Sequence, residues 1–454
     1  MTQPPRPFAA IVLAAGKGTR MKSDLHKVMH PVAGKPMLDH LLGGLAGMAP
    51  AHTVVVLGAG REQVEPLVAA RGGIAAVQEE QLGTAHAVLQ AENALAGFDG
   101  DVLILYGDTP LVSPATMTQM LDRLHAPDAP AIVVVGFRPD DPLRYGRIIA
   151  GADGIIAKMV EYKDATEAER AIDLCNSGMM AVKAADLFAL LKRVGNDNAA
   201  GEYYLPDIVM LAAADGRVSA VIEAEAWQMA GVNSRVELAA VEAEWQRRRR
   251  IAAMDAGVTL IAPETVWFAH DTAVGRDTVV GPNVVFGPGV EIGERVTIHA
   301  FSHIEGARVE PGAEIGPYAR LRPGAEIGEG AKVGNFVELK KARLGAGAKA
   351  NHLSYIGDAQ VGAGANIGAG TITCNYDGFG KYSTVIGKGA FIGSNSALVA
   401  PVKIGDGALI GAGSVITRDV AGDAIAIARG EQVEKPGRAA RFRETVAAKK
   451  QTRE

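Results

Sequence analysis

A short glycine-rich segment near the start of the chain has the residue types of a phosphate-binding turn. The sequence LAAGKGTRM at residues 13–21 directly follows an apolar run, and its small residues let backbone N–H groups approach a phosphate closely. Arg20 and Lys27 add two cations that can neutralise a triphosphate and its leaving pyrophosphate. The segment matches neither a P-loop nor a dinucleotide-binding fingerprint. The two cations are therefore the residues that indicate nucleotide chemistry.

A second candidate is the sequence YGDTP at residues 106–110, which follows another apolar run. If that run forms a buried strand, Asp108 stands at the edge where open α/β sheets bind ligands. A carboxylate in that place can hold Mg²⁺. The alternative is that Asp108 only caps a turn before Pro110.

A set of polar residues stands out in the second half of the chain because an apolar repeat does not need them to fold. They are Arg322, Lys340, His352, Tyr355, Asn366, Asn375, Tyr376 and Lys381. Basic side chains among them can bind a sugar phosphate, and His352 can take a proton from an amine that attacks a thioester. Two alternatives remain open. His352 is a solvated surface histidine, or Cys374 is a nucleophile, although nothing nearby in the sequence activates its thiol.

The elements expected to position the first set are those of an α/β fold. Apolar runs at 9–13, 53–58, 102–106 and 131–137 alternate with segments of helical pattern. This is the rhythm of βαβ units around a mainly parallel, Rossmann-like sheet. Residues 234–254 are rich in Ala, Glu and Arg without Gly or Pro and predict one connecting helix.

From residue 263 onward one apolar residue recurs every six positions, often followed by glycine. The repeat runs through Val274, Val280, Phe286, Ile292, Ile298 and Ile304, then Val309, Ile315, Leu321, Ile327, Val333 and Leu339, and later Ile386, Ile392, Leu398, Ile404, Ile410 and Ile416. Each unit supplies a short strand and a turn, so the repeat predicts a parallel β-helix with these side chains inside. The phase shortens by one residue before Val309, Leu344 and Val361, which predicts tighter corners there. Residues 374–381 interrupt the repeat and predict a projecting loop.

The composition limits the class of protein. The 454 residues exceed one hydrophobic core, so we expect domains at 1–233 and 263–430, a connecting helix and linker at 234–262, and a basic tail at 431–454 without a periodic pattern. With 48% hydrophobic and 21% charged residues and no apolar run of bilayer length, a membrane span is not expected. The net charge of -5 argues against a nucleic-acid partner. Two distant cysteines and no export signal predict a cytoplasmic location.

Several motifs occur in the order seen in bacterial sugar-1-phosphate uridylyltransferases. They are LAAGKGTRM, Lys27, QEEQLGTAHA, YGD, YGRI, EYKDAT, NSG and GVN. Together with the hexapeptide half, the chain resembles, over nearly its full length, the bifunctional family that combines N-acetylglucosamine-1-phosphate uridylyltransferase with glucosamine-1-phosphate acetyltransferase. The resemblance implies a left-handed β-helix, a homotrimer and acetyltransferase sites between subunits. Two departures from the family pattern are His26, where a proline is expected before Lys27, and Ser177, where threonine is commoner.

The resemblance implies roles for residues of the first half. Contacts with UTP or UDP-N-acetylglucosamine are implied for Leu13, Ala14, Gly16, Lys27, Gln78, Gly83, Thr84, Tyr106, Gly107, Asp108, Gly146, Glu161, Asn176 and Asn233. Arg20 and Lys27 would be catalytic at the phosphates, and Asp108 and Asn233 would bind Mg²⁺. The implied reaction is attack by the sugar phosphate oxygen on the α-phosphorus of UTP, with release of pyrophosphate.

The same resemblance implies roles in the second half. His352 would be the general base. Glucosamine-1-phosphate would contact Arg322, Lys340, Tyr355, Asn366 and Lys381, and acetyl-CoA would contact Ala369, Asn375, Tyr376, Ser394, Ala412 and Arg429.

The sequence therefore predicts two activities in two separate pockets. Glucosamine-1-phosphate is acetylated by acetyl-CoA, and the product is then uridylylated to UDP-N-acetylglucosamine, which supplies cell-envelope polymers. Two rival hypotheses remain. In one the β-helix only oligomerises or regulates, against which the polar set around His352 argues. In the other the chain is a non-catalytic assembly subunit, against which Gly16, Arg20, Lys27 and Asp108 argue.

Overall fold

The computed structural model describes residues 6–142 and 145–451 of the chain. The chain consists of two compact units, Met1–Arg249 and Arg250–Glu454. The boundary between them falls inside the helix Arg235–Asp255. Residues 1–5, which belong to the segment where no export signal is expected, lie outside the described residues. Arg453 of the basic tail also lies outside them.

The first unit is built on a mainly parallel sheet. The strands of the unit are β1 (Phe8–Ala14), β2 (Pro31–Val32), β3 (Lys35–Pro36), β4 (His52–Leu57), β5 (Ile74–Val77), β6 (Asp101–Tyr106), β7 (Ile132–Phe137), β8 (Arg147–Ala150), β9 (Ile156–Val160), β10 (Cys175–Lys183) and β11 (Ser219–Glu223). Of these, β2 and β3 pair only with each other and lie outside the main sheet. The sheet order is β11-β7-β10-β6-β1-β4-β5, in which β10 runs antiparallel to β6 and β7, while β8 and β9 form a ribbon beside β10. The four predicted strands are confirmed as β1, β4, β6 and β7.

Helices cover both faces of this sheet, which is why its central strands read as unbroken apolar runs. The helices of the chain are α1 (Met37–Gly47), α2 (Glu65–Ala70), α3 (Thr84–Leu89), α4 (Pro114–Leu124), α5 (Glu167–Arg170), α6 (Ala184–Leu191), α7 (Asp207–Ala214), α8 (Arg235–Asp255) and α9 (Arg438–Gln451). Short 3-10 turns lie at Thr19–Met21, Lys27–Met29, Arg61–Gln63, Asn93–Leu95, Ala226–Met229 and Pro263–Thr265. One core cluster packs α3, α6 and α7 on one face of the sheet, and another packs α1, α2 and α4 on the other.

The second unit is a parallel β-helix, as the six-residue period predicts. One face consists of the strands Thr259–Leu260, Val279–Val280, Thr297–Ile298, Glu314–Ile315, Lys332–Asn335, Lys349–His352, Asn366–Ile367, Phe391–Ile392, Leu409–Ile410 and Ile425–Ala426. The other two faces consist of Ala273–Val274, Val285–Phe286, Glu291–Ile292, His303–Ile304, Ala307–Val309, Arg320–Leu321, Ala325–Ile327, Glu338–Leu344, Tyr355–Val361, Ile372–Cys374, Thr384–Ile386, Ala397–Val399, Val402–Ile404 and Val415–Ile416. The apolar residue of each repeat points inward, and most of these side chains are fully buried.

The predicted irregularities of the β-helix are also present. Each one-residue slip is closed by a single left-handed residue, namely Gly306, Lys341 and Asp358 with φ of 51°, 46° and 46°. Two of these corners are so tight that the strand continues through them. The predicted loop projects between Cys374 and Thr384, and Phe379 at its tip is 99% exposed.

The tail differs from the prediction because it contains the helix α9. No periodic pattern in the sequence had indicated a helix there. Its Ala, Arg, Glu and Lys content favours a helix locally, but none of its described residues is buried, so no apolar stripe marks it in the sequence. Within the described residues, no helix is both long enough and apolar enough to cross a membrane.

Candidate active sites

The first cavity lies at the carboxyl ends of β1 and β6. Leu13 and Tyr106 are in register, and the N–H of Gly107 donates to the Leu13 carbonyl at 2.9 Å. The glycine-rich segment and the YGD segment therefore end side by side. The cavity has a volume of about 350 Å³ and is lined by Leu13, Ala14, Ala15, Gly16, Lys27, Val28, Gln78, Gln81, Gly83, Thr84, Ala87, Tyr106, Asp108 and Glu202. Most of the predicted nucleotide-site residues share this one cavity.

Lys27 lies at the centre of the polar part of the cavity. Its Nζ donates to Asp108 Oδ2 and, at 3.1 Å, to Asn233 Oδ1. Gly18 permits this geometry because its φ is 62° and a Cβ there would lie 2.6 Å from the Cβ of Lys27. The N–H of Asn233 donates to Glu237 Oε2 at 2.7 Å, which anchors it at the start of α8. Lys27, one of the two predicted phosphate residues, is therefore in direct contact with both predicted metal residues.

The two oxygen atoms that face Lys27 Nζ fit the requirements of Mg²⁺. Carboxylate and amide oxygens are ligands that Mg²⁺ accepts, and this ion takes few protein ligands when phosphates and water complete its shell. Among the described residues, no group of three or more His, Cys, Asp or Glu side chains could form an all-protein metal site. The oxygen atoms of Asp108 and Asn233 both bind the positively charged ammonium group of Lys27, so both already face a cation. This donor set suits an ion that is shared with a nucleotide.

The loop between β5 and α3 borders the same cavity. A Cβ on Gly83 would lie 2.5 Å from the carbonyl oxygen of Tyr203, and its φ is 122°, so only glycine fits. Gln78 donates from Nε2 to the Gly83 carbonyl at 3.2 Å. Gln81, which sequence analysis did not single out, donates to the Ala15 carbonyl at 2.5 Å and lines the cavity. Its place inside the QEEQLGT motif was the only indication of a role.

Gly146, Glu161 and Asn176, which are predicted to contact the sugar or the nucleotide, lie outside the cavity lining and form a contiguous group. The Gly146 carbonyl accepts from the Asn176 N–H at 2.9 Å, and a Cβ on Gly146 would lie 3.2 Å from Glu161 Oε1. Asn176 Oδ1 accepts from the N–H of Gly178 at 2.9 Å. A Cβ on Gly178 would lie 2.7 Å from the Tyr106 ring, so this group adjoins the cavity through Tyr106.

Desolvation dominates the electrostatics of this group. Burial raises the pKa of Glu161, and the neighbouring carboxylates of Asp207 and Asp164 raise it further. Burial also raises the pKa of the Tyr106 hydroxyl, with added contributions from Asp108 and Glu161. The surroundings therefore favour the neutral, protonated form of both side chains.

Arg20 is placed differently from the other predicted nucleotide-site residues. It lies in the 3-10 turn Thr19–Met21, is exposed, and does not line the first cavity. Its turn starts directly after Gly18, which packs against Lys27. Its role at the phosphates stays a prediction.

His26, the departure from the family pattern, is buried, and its two ring nitrogens lack hydrogen-bond partners within residues 6–142 and 145–451. Burial lowers the pKa of His26 from 6.5, and the adjacent Lys27 lowers it further. Burial also lowers the pKa of His30, followed by the effect of Arg235. The unfolded chain therefore binds protons that the folded chain excludes, and the free energy of unfolding falls as the pH drops below 6.5.

We expect His26→Gln to reduce this pH dependence by up to about 1.4 kcal/mol per pH unit, because an amide takes up no proton. Urea unfolding between about pH 7.5 and pH 5.5, followed by Trp227 and Trp245 fluorescence, measures it. As a control, His52→Gln replaces a half-buried histidine of the same unit and should keep the wild-type slope. Equal slopes for wild type and His26→Gln would contradict the prediction.

The second candidate site lies at a corner of the β-helix. His352 ends the strand Lys349–His352, and its Nδ1 lies 2.6 Å from Asn335 Oδ1. Because an amide oxygen only accepts, Nδ1 carries the proton and Nε2 keeps a free lone pair, as a general base requires. Sequence analysis missed Asn335. Its spacing of 17 residues from His352, one full coil, was the available indication.

His352 borders a cavity of about 330 Å³. The lining consists of His299, Glu314, Gly316, Pro317, Lys332, Val333, Gly334, Asn335, Asn351 and His352. Glu314 already binds Lys332 Nζ at 2.7 Å and His299 Nε2 at 3.0 Å. These three side chains already bind one another, which leaves the His352–Asn335 pair as the element suited to proton transfer.

Four of the six residues predicted to bind acetyl-CoA follow His352 along the same corner, namely Ala369, Ser394, Ala412 and Arg429. Backbone bonds join successive coils: Gly370 N–H to the His352 carbonyl at 3.3 Å, Asn395 N–H to Ala369 at 2.7 Å, and Gly413 N–H to Ser394 at 2.8 Å. Arg429 Nη1 then donates to the Ala412 carbonyl at 2.7 Å. With coils about 4.8 Å apart, this column extends roughly 19 Å beyond His352. Its length suits an elongated ligand.

The basic residues among the predicted sugar-phosphate ligands lie at a different corner of the β-helix from His352. Arg322 donates to Glu338 Oε1 at 2.8 Å, and the strand register aligns Lys340 with Gly357. Within each coil, Arg322 and Lys340 lie at the corner after the strand that aligns with Tyr355–Ile356. His352 lies at the corner before that strand. Asn366 follows His352 on the next coil of the first face. Asn375 is buried beside Asp358 at the corner of Arg322 and Lys340, and Tyr376 and Lys381 lie in the loop that projects beyond that corner. One chain alone therefore does not gather the basic residues around His352.

A nucleotide-type cavity in an α/β unit, followed by a hexapeptide β-helix with a histidine poised as a base, defines a nucleotidyltransferase joined to a hexapeptide transferase. Family models agree with this class. The model "MobA-like NTP transferase domain" matches residues 10–173, and the model "Bacterial transferase hexapeptide (six repeats)" matches residues 271–306, 306–341 and 383–418.

Similar proteins cover almost the whole chain. It is 72% identical over 448 residues to "Bifunctional protein GlmU" of Rhizorhabdus wittichii, covering 99% of each chain. The proteins of the same name from Sphingopyxis alaskensis and Novosphingobium aromaticivorans are each 64% identical, covering 98% of each chain. The chain belongs to the GlmU family of bifunctional proteins. It is an enzyme with uridylyltransferase and acetyltransferase activities, which confirms the prediction from sequence.

Proposed function

We propose that the enzyme first acetylates glucosamine-1-phosphate with acetyl-CoA and then transfers UMP from UTP to N-acetylglucosamine-1-phosphate. The products are UDP-N-acetylglucosamine and pyrophosphate. The observation that carries this proposal is that the chain holds both a nucleotide-type cavity, in which Lys27 contacts Asp108 and Asn233, and a histidine, His352, that is oriented as a base by Asn335. Acetylation comes first in this proposal because its product, N-acetylglucosamine-1-phosphate, is the acceptor of the uridylyl step. We assign uridylyl transfer to residues 1–233 and acetyl transfer to 263–430.

In the uridylyl step the sugar phosphate oxygen attacks the α-phosphorus of UTP, and the bond to the β-phosphate bridging oxygen breaks. Lys27 stabilises the charge that builds up on the phosphates, and Arg20 closes on the pyrophosphate from its exposed turn. When bound by Asp108 and Asn233, Mg²⁺ supplies further charge neutralisation. Gln78, Gly83 and Thr84 line the nucleotide side of the cavity, while Gly146, Glu161 and Asn176 hold the sugar. Contact of the glycine-rich segment with the YGD segment supports this division.

In the acetyl step the sugar amine attacks the thioester carbonyl of acetyl-CoA. His352 Nε2 takes the amine proton, the carbon–sulfur bond breaks, and the proton passes to the leaving thiolate. Asn335 keeps Nδ1 protonated and thereby keeps Nε2 basic, which the 2.6 Å contact supports. Arg322, Lys340, Tyr355, Asn366 and Lys381 bind the sugar phosphate, and Ala369, Asn375, Tyr376, Ser394, Ala412 and Arg429 bind acetyl-CoA.

We propose that the enzyme is a homotrimer in which a neighbouring copy brings the basic residues of one chain to His352 of another. Their separation on the coil supports this. So does an exposed stack of Phe301, Tyr318 and Phe336, with ring centres 4.9 Å and 5.1 Å apart, on the corner that continues to His352. We place the enzyme in the cytoplasm with small molecules as its other partners, supported by two free cysteines.

The proposed order is tested by uridylyl transfer to glucosamine-1-phosphate and to N-acetylglucosamine-1-phosphate, measured separately without acetyl-CoA. We expect kcat/KM to be at least about tenfold higher for the acetylated sugar, because a site that fits the acetamido group loses its contacts with that group when the acetyl group is missing. Pyrophosphate release measures both reactions. Equal kcat/KM values for the two sugars would contradict the order.

A further inference from the structure

Arg147 is a buried cation to which neither activity assigns a role. It directly follows Gly146 at the start of β8 and is 1% exposed. A buried guanidinium is costly unless its N–H groups find acceptors. Within the described part of the chain its partners are backbone carbonyls and an aromatic ring rather than a carboxylate.

The guanidinium joins two segments that are distant in sequence. Nη1 donates to the Tyr145 carbonyl, while Nε and Nη2 donate to the Arg170 carbonyl at 3.3 Å and 3.2 Å. The Cζ atoms of Arg147 and Arg170 lie 5.8 Å and 4.7 Å from the ring centre of Tyr162. Arg170 Nε also donates to the Tyr162 carbonyl at 3.1 Å. Arg147 therefore holds Tyr145 and Gly146, which directly precede it, against the segment that contains Tyr162 and Arg170.

These two segments carry the proposed sugar site. Gly146 lies between Tyr145 and Arg147, and Glu161 directly precedes Tyr162. Gly146 and Glu161 are in close contact, since a Cβ on the glycine would lie 3.2 Å from Glu161 Oε1. A displacement of either segment would separate them.

We propose that Arg147 is a positioning residue that sets the affinity of the uridylyltransferase site for the sugar phosphate, by holding Gly146 and Glu161 together. This inference rests on the sugar site assigned above. A lysine cannot replace Arg147, because one ammonium group does not reproduce a planar fork that reaches two carbonyls. The nucleotide side of the cavity is built from other segments and does not depend on this contact.

Steady-state kinetics of the full chain test the proposal. Arg147→Lys should raise the KM for N-acetylglucosamine-1-phosphate about ten- to a hundredfold, as expected for lost charged hydrogen bonds. The KM for UTP and the acetyl-transfer rate should not change. The matched control Arg138→Lys alters an exposed arginine that pairs with Glu223 and Asp173, and it should leave both KM values unchanged.

Two further variants keep the result decisive. Tyr162→Leu removes only the ring between the two arginines and should raise the sugar-phosphate KM roughly threefold. Glu161→Gln tests the sugar site itself. The role of Arg147 is refuted if Glu161→Gln raises the sugar-phosphate KM while Arg147→Lys and Tyr162→Leu do not. It is also refuted if Arg147→Lys and Tyr162→Leu raise the KM values for the sugar phosphate and for UTP equally. If Glu161→Gln has no effect, the assignment of the sugar site fails instead.

Discussion

Replacing His352 by alanine is expected to lower the rate of acetyl transfer to glucosamine-1-phosphate by about 10²- to 10⁴-fold, the usual contribution of a general base. The reason is that Nε2 of His352 is the atom left free to take the amine proton once Nδ1 is committed to Asn335. Release of free thiol from acetyl-CoA, measured without UTP, gives the rate. Uridylyl transfer to N-acetylglucosamine-1-phosphate should keep its wild-type rate.

Two companion variants show whether the loss comes from the base. His303→Ala removes an exposed histidine from another strand of the β-helix and should retain full acetyl transfer. Asn335→Ala should lower kcat about tenfold without a comparable change in KM, because it frees the tautomer of His352 rather than removing the base. A fully active, folded His352→Ala enzyme would show that another group accepts the proton.

Replacing Asp108 by asparagine is expected to lower uridylyl transfer by about 10²- to 10³-fold, because it removes the negative charge of the carboxylate that pairs with Lys27 and is proposed to bind Mg²⁺. The Mg²⁺ concentration needed for half-maximal rate should also rise. Pyrophosphate release across a Mg²⁺ titration measures both effects, and acetyl transfer by the same variant should stay at the wild-type rate.

The matched control for this carboxylate is Asp99→Asn, an exposed position in the same unit, which should behave as wild type. If Asp108→Asn reached the wild-type rate at saturating Mg²⁺ with an unchanged requirement for the ion, Asp108 would be a structural turn residue. That is the alternative that the sequence alone left open.

The parts of the fold that follow a short period could be predicted from the sequence. The buried strands of the first unit appear as apolar runs because helices cover both faces of the sheet. The β-helix appears as a six-residue repeat because each unit of six residues places its apolar side chain inside the β-helix. Even the one-residue slips had a structural meaning, since each corresponds to a corner closed by one left-handed residue.

The parts that depend on a contact between distant polar residues could not be predicted. Asn335 lies one coil from His352, and no local pattern distinguishes it from other exposed amides. Arg147 stands within a recognised motif, but only the fold shows that it is buried and bridges two loops. The helix Arg438–Gln451 was missed because it buries no face, so no period marks it.

The central claim is that two separate sites carry the two activities, and a mixing experiment tests it most directly. Glucosamine-1-phosphate, acetyl-CoA, UTP and Mg²⁺ are supplied to His352→Ala alone, to Asp108→Asn alone and to an equal mixture, and UDP-N-acetylglucosamine is measured. We predict little product from either variant and restored production from the mixture, because the acetylated intermediate made by one protein reaches the intact site of the other. Failure of the mixture, with each variant deficient in both activities, would contradict the account and indicate one composite site.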